Sequence, residues 1–190
     1  MTEMIYRQRP RPFAGEVIFT MNDTALTVDN GRRQEVIPFS QMFSLSLQFG
    51  YRNVSTPIYF TRLRRESGRT VTLSNLNWKG YVEVEAQDEA YSAFVRRLAL
   101  NIARANPNAL MTRGRPALSY LATAIVGIVS LGGFAAVAVW GLMRGNWLLA
   151  TMAIIFLFPF ARQVHGMITR NKPGLFDAKS PPDDLLPHHT

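Results

Sequence analysis

Residues 117–161 have the sequence ALSYLATAIVGIVSLGGFAAVAVWGLMRGNWLLATMAIIFLFPFA, and this stretch decides how the chain is organised. It contains a single charged residue, Arg144, in a short Arg-Gly-Asn break between two apolar runs, Ala117–Met143 and Trp147–Ala161. A bilayer core of about 30 Å requires about 20 apolar residues in a helical span. The first run is long enough alone.

The second run is shorter, but a helix that continues through Arg162 to Ile168 is long enough to span. The Arg162 side chain then extends to the lipid head groups while its stem stays in apolar surroundings. The sequence therefore predicts a two-helix transmembrane hairpin over residues 117–168.

The basic residues that flank this hairpin indicate its orientation. One, Arg144, lies in the connecting turn, and six lie on the other side: Arg104, Arg113, Arg115, Arg162, Arg170 and Lys172. Because cytoplasmic flanks of membrane spans are rich in Lys and Arg, we expect a multi-pass protein of the bacterial inner membrane with both termini in the cytoplasm. The expected anchors at the membrane interfaces are Arg113, Arg115, Trp147, Arg162, Arg170 and Lys172.

Composition excludes several kinds of site. The chain has no cysteine, which excludes disulfides, thiolate metal sites and cysteine nucleophiles. Its formal net charge of +8 is explained largely by the flanking basic residues, and no docking motif for nucleic acid is visible. No cofactor and no nucleic-acid partner are expected.

Ahead of the hairpin, the apolar pattern first has a period of two and then a period of 3.6. Seven short strands are predicted: Gly15–Thr20, Ala25–Asp29, Arg33–Phe39, Phe43–Phe49, Ile58–Leu63, Arg69–Leu73 and Tyr81–Glu85. In the fourth strand, the inward side chains are expected to be Phe43, Leu45, Leu47 and Phe49. A helix over Asp88–Asn106 follows, and its apolar face comprises Tyr91, Phe94, Val95, Leu98 and Ile102. The predicted fold class is α+β: a curved antiparallel sheet or barrel closed by a C-terminal helix, followed by the transmembrane hairpin.

Seven strands followed by a capping helix resemble the pleckstrin-homology (PH) superfold. The stretch Ala25–Phe49, ALTVDNGRRQEVIPFSQMFSLSLQF, is similar to bacterial PH-like domains found beside transmembrane helices. That resemblance implies a fold and an association with membranes, but no activity. The expected segments are a flexible basic lead (1–12), a PH-like cytoplasmic domain (13–106), a linker (107–116), the hairpin (117–168) and a Pro-rich flexible tail (169–190).

The densest basic cluster comprises Arg62, Arg64, Arg65 and Arg69 in the hairpin formed by the predicted fifth and sixth strands. Guanidinium groups bind phosphate in a bidentate manner, so these residues are candidates for contact with an anionic lipid or protein surface. The alternative is a solvated hairpin tip whose charges protect a strand edge from aggregation.

Two further features each have a functional and a purely structural interpretation. The small residues Ser119, Thr123, Gly127 and Ser130 form a row along the first span, which is suited either to a partner helix or to packing within the hairpin. The tail sequence PPDDLLP at 181–187 fits either a short docking segment or a disordered end.

The leading functional hypothesis is a membrane-anchored PH-like interaction module whose partners are the lipid bilayer and a protein partner or second copy. In the alternative, the chain is an accessory subunit of a transporter or envelope-biogenesis complex and the hairpin is its working part. An enzyme is not expected, because hydrolase, phosphate-loop and dinucleotide signatures are absent.

The basic asymmetry generates a prediction about topology. Reporter fusions at Met1 and Thr190 are expected to report the cytoplasm, and a fusion at Gly145 the opposite side. An external location for either terminus would contradict this orientation.

Overall fold

The computed structural model describes residues 3–53 and 55–187, so the positions of Met1 and Thr190 lie outside the described residues. The fold class is mixed α+β. The strands of the described chain are β1 (Met4–Gln8), β2 (Val17–Met21), β3 (Ala25–Asp29), β4 (Gln34–Pro38), β5 (Met42–Tyr51), β6 (Pro57–Arg65), β7 (Thr70–Ser74), β8 (Leu76–Trp78), β9 (Val84–Ala86), β10 (Leu110–Arg113) and β11 (Gly174–Leu175). Its α-helices are α1 (Asp88–Ala105), α2 (Ala117–Met143) and α3 (Trp147–Arg170), and short 3-10 helices lie at Phe39–Gln41 and Asp183–Leu185.

Two main sheets and α1 enclose one apolar core. The first sheet is an antiparallel meander in the order β1-β2-β3-β4, and the second has the order β11-β10-β5-β6-β7. Strands β8 and β9 form a separate pair. The predicted apolar face of α1 is confirmed, since Tyr91, Phe94, Leu98 and Ile102 are fully buried.

The prediction that Phe43 faces inward was wrong. Leu45, Leu47 and Phe49 are buried as expected, but Phe43 is 44% exposed and Met42 is buried in its place. The cause is an irregularity in the pairing of β5 with β6, where the register shifts between Met42 and Ser44. An extra residue in one strand reverses the inward and outward alternation on either side of it.

The basic lead is not a flexible segment over its whole length, because Met4–Gln8 forms β1. Alternation buries Tyr6 and Gln8. The Tyr6 hydroxyl donates to the backbone carbonyl of Ser74 (2.6 Å), and the backbone N–H of Ser74 donates to the side-chain oxygen of Gln8 (2.8 Å). The five-residue strand was missed because its arginine and glutamine interrupt the apolar pattern.

The predicted linker contains β10, which pairs in parallel with β5. Met111 is buried, and the N–H of Gly114 donates to the carbonyl of Leu47 (2.8 Å). The connection to α2 therefore belongs to the sheet and is not a free linker.

The C-terminal segment, predicted as a flexible tail, folds back onto the domain. Leu185 and Leu186 are each 1% exposed and join the main core. Arg96 on α1 forms an ion pair with Asp183 (2.6 Å), and the Ser92 hydroxyl donates to the carbonyl of Pro187 (3.0 Å). The two adjacent leucines have no helical or strand periodicity, so their burial could not be deduced from the pattern.

Helices α2 and α3 pack against each other along a seam of small residues. A Cβ on Gly127 would lie 2.7 Å from Val164, and one on Gly141 would lie 3.0 Å from the backbone of Ala150. Within the predicted row, Gly127 is buried in this seam, Thr123 and Ser130 are half-buried, and Ser119 is exposed. Of the row, Gly127 thus packs against α3 within the hairpin.

Both hairpin helices are long and apolar enough to cross a membrane. Large apolar side chains on them are exposed, including Leu118 (81%) and Phe158 (78%). This exposure differs from that of a core helix in a soluble protein, which would be buried against neighbouring elements.

The end of α3 supplies the prediction for this fold. Asn171→Ala would leave the buried N–H and C=O of Phe49 without their side-chain partners. Since each of these two unsatisfied buried groups costs about 1–3 kcal/mol, we expect a loss of about 2–6 kcal/mol in the free energy of unfolding, measured by denaturant titration in detergent. Lys172→Ala, an exposed neighbour, is the control; equal stability of the two variants would contradict the structural role of Asn171.

Candidate functional site

Strand β5 and the last third of α3 run antiparallel, side by side. The Gln163 side chain donates to the carbonyl of Asn53 (3.0 Å). Eight residues further along α3, the Asn171 carboxamide accepts from the N–H of Phe49 (2.9 Å) and donates to its carbonyl (2.8 Å). Eight helical residues cover about 12 Å and four strand residues about 13 Å, so the two hydrogen-bonded positions are the same distance apart on both elements.

A cavity of about 570 Å³ lies between this helix segment and the β5–β6 hairpin, and we call it the interface cavity. Its apolar end is formed by Phe158 and Pro159 of α3. Its polar wall includes Tyr51, Tyr59, Asp88, Arg162, Gln163 and Arg170. The cavity therefore has one apolar end and one end rich in hydrogen-bond donors.

The guanidinium of Arg170 is held in a fixed position on the cavity wall. It lies over the ring of Phe49, 4.4 Å from the centroid, and donates to the Tyr59 hydroxyl (3.0 Å). In the part of the chain that the structure describes, it forms no ion pair. A guanidinium has five N–H donors, and these contacts hold the group in place while leaving donors free.

Burial raises the pKa of Tyr59, and this effect outweighs the opposing influence of the Arg170 charge. The phenol therefore stays protonated at neutral pH. It accepts a hydrogen bond from Arg170 and keeps its own proton to donate.

Among the described residues that line the cavity there is one carboxylate, that of Asp88 at the first residue of α1. Its Oδ1 accepts from the side-chain nitrogen of Asn75 (2.7 Å). The second guanidinium, that of Arg162, is on an exposed residue at the apolar end. Two guanidiniums against one carboxylate leave an excess of positive charge, which suits an anion.

The basic cluster of Arg62, Arg64, Arg65 and Arg69 does not line this cavity. Along β6, Arg62 lies three residues or about 10 Å beyond Tyr59 of the cavity wall, and Arg65 lies six residues or about 20 Å beyond it. Arg65 forms an ion pair with Glu35 (2.7 Å), and Arg69 lies 3.6 Å from the same carboxylate. Arg62 and Arg64 are exposed on the outer face of the sheet.

The six predicted interface anchors do not form one group. Arg162 and Arg170 lie on the cavity, whereas Arg113 forms an ion pair with Asp184. Arg115 donates to the Thr123 hydroxyl (3.1 Å), Lys172 is exposed, and Trp147 is 70% exposed at the start of α3.

Sequence reasoning missed Tyr51, Tyr59 and Asp88 as site residues. Tyr59 is 111 positions from Arg170, so no local spacing indicates their contact. The sequence signal that could have indicated the site was the presence of two arginines, Arg162 and Arg170, near the end of an apolar helix.

Comparison with protein-family models, with curated proteins and with solved structures found no match to this chain. Among the described residues, no group of three or more His, Cys, Asp or Glu side chains is arranged to hold a metal ion.

The ion pairs of the basic cluster predict how stability depends on pH. A hydrogen bond from Arg65, together with the charges of Arg65, Arg33 and Arg69, lowers the pKa of Glu35 from 4.5 to about 2. A lowered pKa in the folded state contributes stability that is fully present above the unfolded value and is lost as the pH falls through the folded one.

Glu35→Gln is therefore expected to lower the melting temperature at pH values above 4.5, and this difference should disappear as the pH approaches 2. Thermal unfolding across this range in detergent measures the effect, with the exposed Glu16→Gln as control. A difference that is constant with pH would show that the carboxylate charge is not involved.

Proposed function

We propose that this protein is a membrane-anchored interaction module that binds the head group of an anionic phospholipid in the interface cavity. Helices α2 and α3 span the bacterial inner membrane, and the sheet domain lies on its cytoplasmic side. The observation that carries the proposal is the unpaired Arg170 guanidinium, held by Phe49 and Tyr59 at the polar end of the cavity.

The height of the cavity supports this assignment. Twenty residues of α3 counted from Trp147 end at Gly166, and twenty helical residues cover the bilayer core of about 30 Å. A Cβ on Gly166 would lie 2.6 Å from the Tyr51 hydroxyl oxygen, so the end of β5 lies at this level. The polar end of the cavity, at Arg170, therefore lies in the zone that lipid head groups occupy, and Phe158 lies within the twenty-residue span.

The chemistry of the cavity matches that of a phospholipid along its length. A phosphate placed beside Arg170 accepts hydrogen bonds from its guanidinium group and from the protonated Tyr59 hydroxyl. The exposed Phe158 ring lies at the opposite end, where an acyl chain continues into the bilayer. Asp88 disfavours a second negative charge near α1, which favours a head group with a single phosphate.

The PH-like identity of the domain belongs to this proposal. The seven strands β1–β7, followed by β8, β9 and the buried helix α1, support it. The cytoplasmic location is supported by the basic residues that flank the hairpin. Neither the PH-like identity nor the cytoplasmic location requires an enzymatic activity.

A second candidate is recognition of an acidic protein segment by the outer face of β6. Arg62 and Arg64 are exposed there, three and five residues (about 10 and 17 Å) beyond Tyr59 of the cavity wall along the strand. Their position on the outer face of the sheet, outside the cavity, favours a protein partner for these two residues. The accessory-subunit alternative has less support, because the small-residue row of α2 is occupied by α3 at Gly127.

Lipid selectivity tests the proposal. Native mass spectrometry of the detergent-solubilised full chain is expected to retain phosphatidylglycerol in preference to phosphatidylcholine. A hydrogen bond to a charged group contributes about 1.5–3 kcal/mol, so Arg170→Gln should weaken retention of phosphatidylglycerol by about tenfold or more.

Lys172→Gln removes the same charge from an exposed position outside the cavity and serves as the matched control. If both variants lose phosphatidylglycerol equally, general charge attraction explains the binding and the cavity assignment fails. Equal retention of the two lipids by the wild type would also overturn it.

A further inference from the structure

Three exposed apolar side chains cluster on the sheet domain, outside the hairpin helices. Phe13 is 80% exposed, Tyr81 77% and Val82 79%. The rings of Phe13 and Tyr81 contact each other edge to face, with centroids 5.1 Å apart. We call Phe13, Tyr81 and Val82 the aromatic patch.

The fold holds this patch in a fixed place. A guanidinium nitrogen of Arg52 donates to the carbonyl of Val82 (2.7 Å), and the same guanidinium lies over the Trp78 ring, 4.3 Å from its centroid. The loop is closed by the N–H of Lys79, which donates to the carbonyl of Glu83 (3.1 Å). The patch is therefore a tethered turn that presents its apolar side chains to the surroundings.

Arg52 also fixes the height of the patch. It follows Tyr51 at the end of β5 and precedes Asn53, whose carbonyl accepts from Gln163 of α3. This is the end of the domain at which α3 leaves its apolar stretch. The patch thus lies at the same edge of the domain as the interface cavity and opposite to the β6–β7 turn.

We propose that the aromatic patch inserts into the interfacial zone of the same bilayer leaflet, as a second membrane contact beside the hairpin. Aromatic side chains favour this zone, where a tyrosine ring lies among apolar groups and its hydroxyl reaches water. The exposed Arg11 and the neighbouring Arg52 add positive charge suited to anionic head groups. The inference rests on the proposed membrane location of α2 and α3, but not on lipid binding in the cavity.

The absence of cysteine permits a direct test with single labels. Val82→Cys carries an environment-sensitive fluorophore in the full chain, reconstituted into vesicles of phosphatidylglycerol and phosphatidylcholine. Ser67→Cys, at the exposed β6–β7 turn, carries the matched control label. Melting temperatures equal to that of the wild type establish that both variants fold.

The label at position 82 is expected to emit at shorter wavelength and to be quenched several-fold more strongly by nitroxide-bearing lipid than the label at position 67. Iodide in the aqueous phase should quench the two in the reverse order. Equal quenching of both labels by iodide would overturn the inference while leaving the membrane anchor intact. Protection of position 82 from both quenchers would overturn it in favour of contact with a second copy. Failure of the chain to insert into vesicles would instead contradict the proposed function.

Discussion

The buried carboxamide of Asn171 is the interaction on which the arrangement of this protein depends. It satisfies both the N–H and the carbonyl of Phe49 in β5. The backbone carbonyl of Asn171 accepts from the N–H of Arg115, just before α2 (3.1 Å). One residue thus joins the end of α3, the longest strand and the start of the hairpin.

The close approach at this junction requires a glycine. Gly114 has a φ of +72°, and a Cβ there would overlap the carbonyl oxygens of Asn171 and Lys172. Only a residue without a side chain allows the chain to leave β10, pass the end of α3 and begin α2. The sheet domain and the hairpin are consequently held in one arrangement, and Arg170, the neighbour of Asn171, is fixed on the cavity wall.

The basic residues differ in role according to what surrounds them, not according to their density in the sequence. Arg65 is neutralised by Glu35, and Arg113 by Asp184. Arg170 has an aromatic ring and a phenol as neighbours in place of a carboxylate. An electrostatic interaction in a partly enclosed site is screened less by water than one in a solvated cluster.

The features that depend on local pattern could be read from the amino-acid sequence. Two long apolar runs predicted α2 and α3, a 3.6-residue period predicted the buried face of α1, and alternation predicted most strands of both sheets. Each of these signals arises within one element, since periodicity reports which face of that element is apolar.

The remaining features arise from contacts between residues far apart in the chain. Strand β10 exists because Met111 reaches a vacant edge of β5, and the tail is ordered because Leu185 and Leu186 fill the core beside α1. The cavity requires the contact between Arg170 and Tyr59. The packing of α3 on β5 requires the contact between Asn171 and Phe49, which are 122 positions apart. A side chain's partners across such separations are set by how the elements pack in space, so the composition of a segment does not reveal them.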